Sequence, residues 1–254
     1  MKRFTWLALI VLAIFCLPAS DTEAQNHELE EGFFRANQAY KDGHYQEAVK
    51  GYEQLIQSGL RNGHIYYNLG NSYFRQNQVG RAILNYERAR LLMPRDPDLN
   101  FNLRNARDQT QDAIPDSQSF VSMTFFWLDH LTLDEVFLCF AVLNILFWTV
   151  VWIRLFFQWE WTYYLSITLL IFWAIAVLCF GLKWYQDRSD DRAVILRKEV
   201  RILAGPEIED TVLFKLHEGT LVHCERSEDG WILVHLPDKK RGWVKAEAVE
   251  RIKE

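Results

Sequence analysis

The sequence predicts a multidomain membrane protein built, in order, from an all-α helical repeat, a two-helix transmembrane hairpin and a small all-β barrel. Three observations lead there. Residues 136–153 and 161–182 are long apolar runs without a charge. Upstream, residues 29–62 slide onto 63–96 with like falling on like, the mark of a repeated unit. Downstream of Arg192, short alternating runs are separated by Gly, Pro and Asp turns, the pattern of small sheets.

The hairpin organises the rest. At about 1.5 Å rise per residue each apolar run can cross a hydrocarbon core of about 30 Å. The first needs either the Leu155, Phe156 and Phe157 extension beyond Arg154 or a slightly thin bilayer, and the spans are placed at 132–157 and 161–183. A buried soluble helix is rarely apolar on every face for that length. The gap, 154–160, is too short for a domain, so the spans are antiparallel and the regions before and after them share a compartment. Thr132 and Glu135 form a capping-box pattern at the start of the first span. Trp148, Trp152, Trp159, Trp161, Trp184 and Tyr185 fall where interfacial aromatic anchors belong. No Asp, Glu, Lys or His lies mid-span, where transporters place ionisable groups, so the hairpin reads as an anchor.

Composition narrows the function. A net charge of -5 over 254 residues lacks the basic excess that a nucleic-acid binder uses to displace counterions. Cys16, Cys139, Cys179 and Cys224 give neither a disulfide framework nor zinc spacing. Cys139 and Cys179 fall at similar depth in antiparallel spans, either as a thiol pair or as small apolar residues.

At the N-terminus, Lys2 and Arg3 precede an apolar run, Pro18 breaks it, and Asp21 and Glu23 follow, the order of a secretory signal. Thr22 and Ala24 are the small residues a signal peptidase reads, so 1–24 is expected to be a signal peptide cleaved after Ala24. Phe15 disfavours a lipoprotein anchor at Cys16, and an uncleaved signal anchor stays open. Export would place both soluble regions on the periplasmic or extracytoplasmic side of the inner (cytoplasmic) membrane, with 154–160 inside. The charge bias supports this only in part. Arg154 lies on the expected inner side, but Lys183, Arg188, Arg192, Arg197 and Lys198 flank the outer side.

In the repeat, Ala36 falls on Gly70, Tyr40 on Phe74, Gly43 on Asn77, Ala48 on Ala82 and Tyr52 on Tyr86. Gly43 and Asn77 suit the turn between paired helices because both tolerate positive φ. Residues 63–96, through Tyr66, Leu69, Gly70, Tyr86, Ala89 and Pro94, closely resemble the tetratricopeptide repeat (TPR). The first copy lacks the closing Pro and has Gly32 where an aromatic is usual. A third start at 98–107 caps the stack, giving a region of 29–111. Asn37, Asn71 and Asn105 recur every 34 residues on the face that lines the groove in the family resembled, with Tyr40 and Phe74 beside them. These residues either form a peptide-binding ladder or bond neighbouring helices. Phe33 and Tyr67 occupy positions near the ladder where carboxylate-binding lysines occur in some such repeats, which disfavours a C-terminal carboxylate ligand.

Residues 112–131 read as a linker that contains Pro115 and ends in Phe125, Phe126, Trp127 and Leu128, a cluster suited to the membrane interface. Five or six strands are then expected in 192–254. Leu216-His217-Glu218-Gly219, Asp229-Gly230-Trp231 and Arg241-Gly242-Trp243-Val244 resemble bacterial SH3-like (SH3b) domains. The resemblance implies a groove lined by Trp231 and Trp243, or Trp243 in the core, and affinity for cell-wall peptides. His217, His223 and His235 lie near Cys224, but Cys224 is mid-strand and His223 next to it faces the other way. His223 and His235 can face each other across a hairpin, but the sequence offers neither a carboxylate nor a third ligand beside them. With no P-loop, GxSxG or HExxH motif, neither an enzyme nor a cofactor or metal site is expected.

The whole order resembles the tetratricopeptide proteins of the bacterial Bat aerotolerance operons (BatE-like). That resemblance implies partners among membrane proteins with von Willebrand A domains, and through them a MoxR-type AAA ATPase, in envelope stress or oxygen tolerance. The expected function is a membrane-anchored scaffold or adaptor that binds protein partners through two extracytoplasmic modules. The alternative is a peptidoglycan-binding accessory or cell-wall sensor, and a redox role for Cys139, Cys179 or Cys224 is a third option.

Overall fold

The structure, a computed structural model, describes residues 20–112, 123–157, 159–207 and 209–253, with side chains from residue 27 onward. Residues 1–19 of the expected signal peptide, with Cys16, and residues 113–122 of the expected linker, with Pro115, lie outside the described residues. The chain divides into two compact units, 1–61 and 62–254.

The first unit is a helical hairpin of α1 (Ser20–Lys41) and α2 (Tyr45–Gln57). The chain reverses at Gly43, whose φ of 82° is open to glycine without strain. Ala48, Val49, Tyr52 and Leu55 are buried, the i, i+1, i+4, i+7 spacing of a single helix face. The helices cross at Gly51, where a Cβ would come within 2.9 Å of the Ala36 Cβ.

The second unit begins with α3 (Gly63–Arg75), α4 (Val79–Leu92) and α5 (Pro97–Arg107). Asn77, at φ 58°, turns α3 into α4. Asn62 accepts from His64 N at 2.8 Å and Asp96 accepts from Leu99 N at 2.8 Å, so both α3 and α5 start on side-chain caps. Pro97 sits in the first turn of α5, where its missing N–H costs nothing. From Ala82 to Glu87, α4 is buried without interruption, so it is covered on more than one side.

Helices α6 (Leu133–Phe156) and α7 (Glu160–Arg188) form a hairpin with apolar outer surfaces, and each is long and apolar enough to cross a membrane. Thr132 and Glu135 make both bonds of the capping box. Phe140 stacks on Phe180 at 5.4 Å and Phe147 on Trp173 at 5.7 Å, which fixes the pairing along the hairpin. The aromatic cluster before α6 is a 3-10 turn, Phe126–His130, with Phe126 exposed and Leu128 buried; the Leu128 carbonyl accepts from Lys183 Nζ at 2.8 Å.

The C-terminal part is an antiparallel sheet of β1 (Arg192–Ile195), β2 (Glu199–Leu203), β3 (Val212–His217), β4 (Leu221–Glu228), β5 (Trp231–His235), β6 (Arg241–Lys245) and β7 (Val249–Arg251). Its order is β3-β2-β6-β5-β4-β1-β7. The 3-10 turn Ala246–Ala248 and strand β7 extend the pattern beyond the runs legible in the sequence. Ile195, Ile202, Val222, Cys224, Val234 and Val244 fill the core. The helical N-terminal region, the paired apolar helices and the terminal sheet together are the fold class expected.

Candidate functional site

Within the second unit, α4 docks on the sheet through charge. Glu87 has no exposed surface, and an unpaired carboxylate there would be costly. Three guanidinium groups meet it: Arg90 at 2.7 Å from the same helix, Arg107 at 2.5 Å from α5, and Arg192 at 3.3 Å from the first residue of β1. Arg192 is also gripped in two-pronged fashion by Asp190, Nε to Oδ1 at 2.7 Å and Nη2 to Oδ2 at 2.8 Å. Burial pushes the Asp190 carboxyl up, but the Arg192 hydrogen bonds and charge outweigh it and hold that carboxyl below its ordinary value.

Two further contacts frame this centre. Arg88 donates to the Ile252 and Arg251 carbonyls at 3.1 and 2.9 Å and to Glu250 at 2.9 Å, so a repeat helix covers backbone groups that edge strand β7 would otherwise leave bare. At the other end, Gly80 N donates to Glu218 Oε1 at 2.9 Å. Asp112, just past α5, accepts from His217 N at 2.7 Å and Thr220 Oγ1 at 2.6 Å, with His217 Nδ1 at 3.0 Å. Burial raises the Asp112 carboxyl, and the bonds from Thr220 and His217 more than reverse it, leaving it below its ordinary value.

The asparagine ladder is tied to tyrosines. In the first unit Tyr52 donates to Asn37 Oδ1 at 2.6 Å, and in the second Tyr86 donates to Asn71 Oδ1 at 2.8 Å. Each link spans the two helices of a repeat, so these carbonyls serve helix pairing. Asn105 is exposed. Asn102 instead joins the network, donating to Asn71 Oδ1 at 3.0 Å and to Tyr67 Oη at 2.9 Å. Its sequence signal was its own 34-residue spacing from Asn68. Tyr40 packs on Tyr45 with ring centroids 5.5 Å apart, and Phe74 is half-buried.

On the barrel, register lines up Val212, Leu203, Trp243, Leu233 and Arg226 across five strands. Ile232 and Val244, the chain neighbours of Leu233 and Trp243, belong to the core, so alternation puts this row on the opposite face. Trp243 is nonetheless only 6% exposed, with the Arg226 guanidinium 5.1 Å from its ring centroid. Trp231 lies diagonally across on the same face, half-buried, with Lys245 Nζ 6.0 Å from its ring. His223 and His235 pair across β4 and β5 and stack at 4.9 Å, each with a carboxylate at Nδ1, from Asp191 and Glu225 respectively. Among the described residues no group of three or more His, Cys, Asp or Glu is placed to hold a metal ion. Cys224 lies in the core, where burial pushes its thiol up, away from the thiolate a nucleophile requires.

The helix-turn-helix of α3 and α4 and the seven-stranded sheet each agree with a known family. Residues 63–96 match the tetratricopeptide repeat, and residues 197–250 match the bacterial SH3 domain. No curated protein matches the chain. The TPR match contains Gly80, Glu87 and Arg88, the residues of α4 that touch the sheet. The SH3 match stops short of Arg192 and Ile252, so the TPR helix is held both by the flanks of the matched segment, at Arg192 and Ile252, and by Glu218 and Glu250 within it. Both modules are non-catalytic interaction domains, which makes protein-protein interaction the coarse function and is compatible with cell-wall binding.

Proposed function

We propose that this protein is a membrane-anchored extracytoplasmic adaptor in which the second TPR unit and the SH3 domain act as one binding platform. What supports this most is the buried Glu87, bonded at once to Arg107 of the repeat cap and Arg192 of the SH3 edge. Freely swinging modules would have no use for a fully desolvated carboxylate shared between them. The hairpin supports the anchor: α6 and α7 are antiparallel, so the chain segments at their outer ends lie on one side. The N-terminal signal pattern argues that this side is extracytoplasmic. The resemblance to the Bat operon proteins suggests membrane proteins with von Willebrand A domains as partners, a MoxR-type ATPase acting through them, and a role in envelope stress or oxygen tolerance. In this reading Asn37 and Tyr40 belong to the groove face of the first unit, Asn71, Phe74 and Asn105 to that of the second, and Trp231 and Trp243 mark the SH3 contact face.

Two measurements test it. The full chain should stay in the membrane fraction through alkaline carbonate washing, with reporters at 154–160 and at the C-terminus on opposite sides. A von Willebrand A membrane protein should co-purify with the chain in detergent and be lost from an Asn71→Ala/Asn102→Ala variant; unchanged recovery would refute docking through the repeat. The SH3 match favours a second reading, binding of peptidoglycan at Trp231. Sedimentation of the detergent-solubilised chain with purified wall material, reversed by Trp231→Ala, would establish it.

A further inference from the structure

At the closed end of the hairpin, α6 and α7 leave a cavity of about 630 Å³. It is lined at the turn by Arg154, Trp159 and Tyr163, and further along the two helices by an apolar floor of Val151, Ile167 and Leu170. Arg154 Nη1 donates to Ser166 Oγ at 3.1 Å, and its guanidinium lies 4.8 Å from the Tyr163 ring centroid. The Ser166 hydroxyl in turn donates a hydrogen bond to the Tyr163 carbonyl at 2.8 Å. Among the described residues no ion pair joins Arg154 to a carboxylate, Glu160 included.

A guanidinium offers five donors in a planar fork suited to phosphate, and a single hydroxyl occupies one of them. The cation sits at the end of a span, the depth at which lipid headgroups lie, and the floor below it runs along two apolar helices toward the bilayer centre. Charge above and grease below is the profile of a glycerophospholipid; a soluble phosphate would leave the floor unused. We infer that this cavity is a site for one anionic glycerophospholipid, the phosphate held by Arg154 beside Trp159 and one acyl chain laid along Val151, Ile167 and Leu170. The site rests on the anchor reading above but requires neither leaflet in particular.

The test is a native mass-spectrometry titration of the full chain in detergent with phosphatidylglycerol against phosphatidylcholine of the same acyl chains. Phosphatidylglycerol should be retained about tenfold more strongly, because both lipids offer Arg154 a phosphate but the choline cation of phosphatidylcholine offsets that charge and is repelled by the guanidinium. Arg154→Gln should remove the preference, and Leu170→Trp, which fills the floor and keeps the charge, should lower retention of both lipids. Arg188→Gln, at the opposite end of α7, should change nothing. Equal retention of the two lipids, or a preference that survives Arg154→Gln, overturns the site. Displacement of phosphatidylglycerol by excess glycerol phosphate assigns the pocket to a soluble anion and overturns it as well. A chain that washes out of membranes with carbonate fails the anchor reading, whereas one that stays but shows no lipid preference fails this inference alone.

Discussion

Arg192, the first residue of β1, donates to Glu87 of α4 across 3.3 Å, joining residues 105 positions apart in the chain. The contact makes a fully buried carboxylate depend on a cation from another module. Removing one partner of a buried pair leaves the other desolvated and unpaired, at a cost of about 3–5 kcal/mol. Glu87→Gln should therefore lower the unfolding free energy of the 62–254 unit by about 3 kcal/mol, because three arginines then face a neutral amide. Denaturant unfolding in detergent checks this, and an unchanged midpoint would mean that the arginines find other partners.

Gly80 tests the same interface without altering charge. A Cβ there would lie 2.7 Å from the Ile195 carbonyl oxygen and 3.2 Å from Gly219 N, both backbone atoms that cannot rotate aside. Gly80→Ala favours the isolated helix by roughly 1 kcal/mol, so any loss of stability must come from the dock. Hydrogen exchange should rise at 192–197 and 217–220 and stay unchanged in the β4–β5 hairpin.

Acid should loosen the far end of this interface. The folded-state value of Asp112 lies below its ordinary 3.8, held there by Thr220 and His217 against the opposing effect of burial. A depressed carboxyl stabilises the fold fully above its unfolded value and loses that contribution as pH falls through the folded one. The Asp112 contribution should thus be constant from neutral pH to about 5 and fade below 3.8. Asp112→Asn should be less stable at neutral pH and lack this part of the acid dependence, as read from unfolding midpoints across pH.

How much of this was written in the chain depends on range. Local signals were legible: Gly43 and Asn77 take positive φ, Thr132 and Glu135 close the capping box, and the turns before β4 and β5 carry Gly219 and Gly230 at positive φ. Strand β7 was not, because three residues after a 3-10 turn are too few for alternation to register. The dock was invisible for a different reason. Glu87 sits where a helical pattern allows a solvated charge, and only the sheet packed over it reveals that it is buried. The asparagine ladder was legible as a period, but the period alone placed Asn105 in it, whereas α5 directs Asn102 to Asn71.

The two tryptophans of the SH3 face should separate in a mutational test. Trp243 is buried between Leu203 and Leu233 with Arg226 over its ring, so Trp243→Ala removes a large packed side chain and should cost about 3–5 kcal/mol of stability. Arg226→Ala removes the cation alone and should cost about 0.5–1 kcal/mol. Trp231 is half-buried near the tip of the β4–β5 hairpin, with Lys245 Nζ 6.0 Å from its ring, so Trp231→Ala should leave the unfolding midpoint within about 1 kcal/mol of the parent. If the face binds an extended wall peptide, Trp231→Ala is then the variant that loses wall sedimentation while remaining folded. Should Trp231→Ala unfold the domain and Trp243→Ala leave it intact, the division between contact residue and packing residue is the reverse of that drawn from the structure.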